Sequence, residues 1–161
     1  MKISAQDEYG LRTLLRIAQR EPQEGLSIAQ LSELEGLSRS YMAKLTRKLR
    51  LEGFIKSTPG PKGGYVLAKS PEEISVNEVL KALDGKLFSN EFCKSHSGDF
   101  KVCARHFDCS VRSLWKVAQL ALDHVFDRIS LRDLMGSESE ADHILQLIAD
   151  EFSQAAQPSL S

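Results

Sequence analysis

Residues 27–68 place a short helix, a tight turn, a basic amphipathic helix and a Gly/Pro hairpin in immediate succession, and few folds accept that order. Ser27 is a good cap for a short helix with Ile28, Leu31 and Leu34 inward, and Gly36 stops it. Ser38 then caps a longer helix in which Met42, Leu45 and Leu49 form an apolar stripe, while Lys44, Arg47 and Lys48 share another face. Gly53 closes that helix. The stretch FIKSTPGPKGGYVLAK reads as two short strands, Phe54–Ser57 and Tyr65–Ala68, around a turn. This is the order of a winged helix. The expected fold is mainly α with a small β-hairpin wing.

The remaining segments fit around that unit. Leu11, Leu14, Leu15 and Ala18 have the spacing of an amphipathic first helix, ended at Glu21-Pro22. Ser75 caps a fourth helix carrying Val76, Val79, Leu80 and Leu83, and Asp84-Gly85 ends it. Further on, Val111, Trp115, Ala118, Leu122, Val125 and Ile129 follow a coiled-coil spacing, widened by Leu114, Val117 and Ala121. The breadth of that face predicts a long dimerisation helix rather than a core helix of a single chain. Ser130 caps a short turn through Leu134, residues 140–153 form a terminal helix, and residues 154–161 read as a disordered tail.

Charge points to a partner. The chain of 161 residues has a net charge of −1, but between Gly36 and Val66 seven Lys or Arg stand against a single acid. In a helix–turn–helix, residues at the start of the second helix (here Ser38, Arg39, Ser40 and Tyr41) reach base edges in the major groove, while cations neutralise phosphates. Lys44, Arg47, Lys48 and, on the hairpin, Lys62 are the cations so placed. Gly63 and Gly64, with Gly60, let the hairpin tip come close to a backbone. A-form RNA has a major groove too narrow for a helix, so double-stranded DNA is the expected partner. No apolar run is long enough for a membrane helix, and MKISAQDEYGLRTLL breaks its apolar residues with charges, unlike a signal peptide. A cytoplasmic location, where thiols stay reduced, is expected.

All three cysteines lie in EFCKSHSGDFKVCARHFDCSVRSLW, residues 91–115, with His96 and His106 between them. Three thiols cannot all pair within one chain, which leaves metal binding, redox chemistry or simple burial. Cys103, His106 and Cys109 form C-x2-H-x2-C, and with Cys93 they match a three-cysteine, one-histidine zinc site. Lys101, Arg105 and Arg112 would favour thiolates, as a thiol/disulfide switch needs. Cys103 with His106 has the residue types of a nucleophile pair, but no third orienting group stands out, and an enzyme is not expected.

MKISAQDEYGLRTLLRIA, LSRSYMAKLTRKLRLEGFI, GPKGGYVLAKSPEEISVNEVLKALDG and CSVRSLW…ISLRDLM together resemble the IscR/NsrR family, bacterial winged-helix regulators carrying iron–sulfur clusters. The similarity runs from residue 1 to about 135. It implies a homodimeric repressor joined by a long crossing helix, with a cluster, of the 2Fe–2S type on the IscR-like pattern, held by Cys93, Cys103 and Cys109. Iron or cluster supply, redox state or nitric oxide would be the signal. The implied divisions are a winged helix-turn-helix DNA-binding domain at 1–84, a cysteine-rich cluster-binding loop at 85–109, dimerisation and C-terminal helices at 110–153, and the tail at 154–161.

Three departures from the family pattern stand out. The cysteine spacing is C-x9-C-x5-C where C-x5-C-x5-C is common. Arg112 replaces the histidine that IscR-like members use as a ligand. Pro59 stands where relatives often carry an arginine on the hairpin, and Lys62 is the nearest replacement. The NsrR-like alternative for the fourth ligand is a carboxylate in the first helix, supplied by the other subunit; here that is Glu8. His106 ranks second and His96 third. A first-turn acid such as Glu8 also has an ordinary role, complementing the helix dipole.

Overall fold

Four serines start four helices. In the computed structural model, which describes residues 3–21, 24–61, 63–83, 85, 87–88, 90–97 and 99–155, Ser4, Ser27, Ser38 and Ser75 precede α1 (Ala5–Ala18), α2 (Ile28–Glu35), α3 (Arg39–Leu51) and α4 (Val76–Ala82). Each serine side chain accepts a hydrogen bond from the backbone N–H three residues on. Asp7, Gln30 and Glu78 return the bond to the cap residue, completing capping boxes. Gly36 ends α2 in the left-handed conformation at φ 66°. The first helix stops at Ala18, three residues before Glu21, with Gln19 as its C-cap.

The wing is a two-stranded antiparallel hairpin, β1 (Ile55–Thr58) and β2 (Gly64–Leu67), with Ile55 opposite Leu67 and Thr58 opposite Gly64. Each strand lies one residue from its expected position. Phe54 N–H is taken by the carbonyl of Leu49 in the closure of α3, so β1 begins one residue later. Leu26, just ahead of α2, exchanges both backbone bonds with Tyr65 at 3.1 and 2.9 Å, which ties the wing to the helix–turn–helix.

Leu14, Leu31, Met42, Leu49, Ile55, Ile74 and Leu83 meet in one core, each less than 3% exposed. Burying such side chains is worth about 1.5–3 kcal/mol each and fixes the angle of α3 against α1 and α2. Leu34 is exposed, contrary to the reading of α2 as facing inward there; Glu35 takes the inward place.

After α4 the chain forms α5 (Asn90–Ser95), a short helix inside what was expected to be loop, and then α6 (Ser110–Phe126). The heptad spacing overran the helix. Ile129 lies beyond its end, buried, with its carbonyl accepting from Val76 N–H at 2.8 Å. Leu131 follows into the core, and Ser75 bridges Ser130. The N-cap of the 3-10 turn Arg132–Leu134 is Leu131, one residue after the expected Ser130, which instead exchanges hydrogen bonds with Asp133. The last helix, α7, covers Glu138–Ala155, so Gln154 and Ala155 are helical rather than part of a tail; 156–161 lie outside the described residues. Among the described residues no helix is long and apolar enough to cross a membrane.

Candidate DNA interface and cysteine cavity

The exposed face of α3 carries the residues expected to read DNA. Ser38, Arg39, Ser40, Lys44 and Arg47 are all exposed, and Ser38 Oγ lies 3.2 Å from Ser40 Oγ. Lys48 is half-buried. Tyr41 has a second role: its ring meets Tyr9 of α1 edge-to-face, centroids 6.1 Å apart and planes at 83°. Gly63 and Gly64 are accounted for within the chain. A Cβ on Gly63 would meet the Thr58 carbonyl oxygen, and one on Gly64 would lie 2.5 Å from the carbonyl carbon of Leu26. Gly60, at φ 103° with nothing within 4 Å, is the open glycine of the turn. Lys62 lies outside the described residues.

An ion-pair clamp that the sequence reading missed holds the helix–turn–helix against α1. Glu35, its side chain 1% exposed, accepts from Arg12 Nε and Arg16 Nε at 2.7 Å each. Arg12 also lies 3.9 Å from Glu8 and 5.5 Å from the Tyr9 ring centroid. Two arginines four apart were the visible signal. Their partner is 19 to 23 residues away on another helix, which periodicity cannot show.

Cys93 on α5 and Cys103 in the following loop line one cavity of about 410 Å³, together with His106, Lys101 and Arg112. Cys109 is the N-cap of α6, and its Sγ accepts from Arg112 N–H at 3.4 Å. The Arg112 guanidinium donates to the His106 carbonyl at 2.9 Å, fastening the loop to the first turn of α6. All three thiols are free and half-buried. His96 is engaged elsewhere, stacked on Phe92 with centroids 4.1 Å apart. Glu8 sits on the exposed first turn of α1 and lines a different cavity. Among the described residues no three His, Cys, Asp or Glu side chains stand close enough to hold one metal ion. Cys93 and Cys103 share a cavity whose lining does not include Cys109.

A helix–turn–helix with a basic second helix, tied to a hairpin wing, defines a winged helix-turn-helix DNA-binding regulator. The chain belongs to the Rrf2 family of iron-dependent transcriptional regulators, whose model matches residues 3–137. It is 34% identical over 139 residues to protein rrf2 of Nitratidesulfovibrio vulgaris, covering 86% of this chain and 90% of that one. It is 31% identical over 150 residues to the HTH-type transcriptional regulator IscR of Aliivibrio salmonicida, covering 93% and 83%. Among solved structures it is similar to T. potens IscR, with 28% identity, a TM-score of 0.64 and coverage of 84% and 86%. The CymR global cysteine regulator of B. subtilis is also similar, at 27% identity and TM-score 0.63, covering 84% and 96%. The IscR relatives are named as HTH-type transcriptional regulators.

Proposed function

We propose that the chain is a homodimeric repressor of the cytoplasm whose operator binding is controlled by an iron–sulfur cluster. Residues 1–84 would bind DNA, 85–109 would hold the cluster and α6 would join the protomers. The carrying observation is the gathering of Cys93, Cys103 and His106 in one cavity beside the Cys109-capped start of α6, in a family described as iron-dependent. The donor chemistry fits: thiolates are the ligands iron–sulfur clusters take. Cys93, Cys103 and Cys109 are the proposed ligands, with Glu8 of the partner subunit as fourth and His106 as the alternative. When bound, the cluster, of 2Fe–2S type on the IscR-like resemblance, supplies a cross-link that oxidation, nitric oxide or iron shortage can break.

The protein's own groups account for the coupling. Cys109 is the N-cap of α6, its Sγ accepting from Arg112 N–H, so the end of the loop and the start of the helix are one residue. Ordering the loop therefore fixes where α6 begins, and α6 carries the broad apolar face proposed to cross its partner. Leu114 and Val117, 60% and 65% exposed, belong to that face. The crossing sets the separation of the two α3 helices, which must match half-sites one DNA turn apart.

Replacing Glu8 and His106 separately with alanine, then measuring iron retained per chain, tests the ligand set: loss in the first variant alone supports Glu8. A thiol/disulfide switch is the second reading, favoured by Cys93 and Cys103 sharing a cavity with Lys94, Lys101 and Arg112. Similarity to S. aureus CymR, solved in an oxidized form, points the same way. Zinc would use the same cysteines with His106 and leave the protein colourless.

A further inference from the structure

A cavity of about 200 Å³ between α1, α4 and α6 is walled by Leu11, Leu80, Leu122 and Phe126, with Asp7 and Glu8 on its α1 side. Asp7 is only 5% exposed. Its Oδ2 accepts from the N–H and hydroxyl of Ser4, but its Oδ1 is buried without a hydrogen-bond partner. Apolar walls with carboxylates at one side suit an occupant with an apolar body and a cation beside it. Elsewhere in the chain Phe107 is 97% exposed, and among the described residues its one ring neighbour is His106 at 5.2 Å. Arg105, two residues earlier, is also exposed.

We infer that Phe107 of each protomer docks into this cavity of a second copy, with Arg105 of the partner subunit facing Asp7 and Glu8. The inference rests on the dimer proposed above. Size agrees, since an apolar cavity of about 150 Å³ accepts benzene. Charge agrees too: a guanidinium brought to the acidic side faces the carboxylates of Asp7 and Glu8. The cavity wall includes Leu122 and Phe126 in the C-terminal half of α6, and Phe107 lies three residues before its first residue, Ser110. An antiparallel crossing of two such helices brings the beginning of one towards the end of the other. The same docking sets Glu8 beside the partner's Cys109, two residues from the inserted ring. One contact then supplies both dimer specificity and the fourth ligand.

The test is photo-crosslinking of the full chain, without cluster, with p-benzoylphenylalanine at position 107 and an equal mixture of light and heavy isotope-labelled protein. Light–heavy adducts at Leu11, Leu80 or Leu122 are expected. Adducts confined to one chain, or between chains at other positions, overturn the inference. Sedimentation of Phe107→Asp and Phe107→Leu, each first checked for native helix content, gives an independent reading. The Asp variant should raise the dimer dissociation constant about tenfold or more, while the Leu variant stays near the parent. An unchanged constant in Phe107→Asp also overturns the inference. Iron content of Glu8→Ala separates the two proposals. Interchain adducts with full iron in Glu8→Ala keep the docking and remove Glu8 as ligand; lost iron with adducts confined to one chain does the reverse.

Discussion

Cys109 Sγ accepts the Arg112 backbone N–H at 3.4 Å, so one proposed cluster ligand is also the cap of the helix proposed to join the dimer. Serine is a better cap than alanine and a poor iron ligand, so substitution separates the two roles. Cys109→Ser is expected to stay within about 0.5 kcal/mol of the parent stability, and Cys109→Ala to lose about 1 kcal/mol. Both should lose bound iron. Urea unfolding of the apo proteins beside iron analysis checks this; equal stability of the two variants would remove the capping role.

Glu35 is the acceptor for two arginines that are themselves about half exposed. Removing the carboxylate leaves cations that can turn to water, so the loss falls below that of a fully buried pair. Glu35→Ala is expected to cost about 1–3 kcal/mol and to weaken operator binding, because α2 then loses its tie to α1. Thermal unfolding checks the first part and a DNA titration the second.

On α3 the phosphate-facing and base-facing residues should differ in kind. Lys44→Ala is expected to weaken binding to all sequences alike and to reduce the salt slope by roughly one. Arg39→Ala should cost about 1–3 kcal/mol on the operator alone, narrowing the gap to random DNA. Tyr41→Phe keeps the packing on Tyr9 and so preserves stability. Any loss of affinity in that variant then belongs to the hydroxyl.

The wing offers a paired comparison. Gly64→Ala drives a methyl against the Leu26 backbone and is expected to cost roughly 2 kcal/mol. Gly60→Ala meets open space and costs only the left-handed backbone penalty, about 1 kcal/mol. Similar losses from both would mean that the Leu26–Tyr65 bridge does not hold the wing.

At the start of α7, the Ser137 backbone N–H and then its hydroxyl hold the Glu140 carboxyl below its usual value of 4.5. A depressed folded value means that the contribution is present above the unfolded value and lost as pH falls through the folded one. Glu140 is therefore expected to titrate below 4.5 by NMR, with the first turn of α7 fraying as it protonates. A midpoint at or above the usual value contradicts the cap.

Much of the fold was legible because local rules agreed with the tertiary outcome. Ser27, Ser38 and Ser75 cap where caps were read, and Met42, Leu45 and Leu49 face the core. The misses share a cause. The end of α6 at Phe126 depends on Ile129 turning back to pair with Val76, a contact the heptad count cannot see. Glu35 is inward because of Arg12 and Arg16, not because of its own helix. The six residues of α5 are too few to show a period. The Ser4/Asp7 capping box went unread in the sequence, and Asp7's orphaned oxygen emerges only where α1 meets α4 and α6. The cysteine loop stood out in the sequence as a candidate site, whereas its division into a shared cavity and a helix cap could not be read there.

The central claim is that three cysteines hold a cluster that governs DNA binding. The most direct measurement is on protein purified without oxygen: its visible spectrum with iron, sulfide and zinc content, followed by operator affinity before and after cluster removal. A coloured protein with matching iron and sulfide, whose operator affinity changes when the cluster is removed, is the predicted result. A colourless protein holding one zinc per chain, or one whose operator affinity ignores cluster loss, would contradict it.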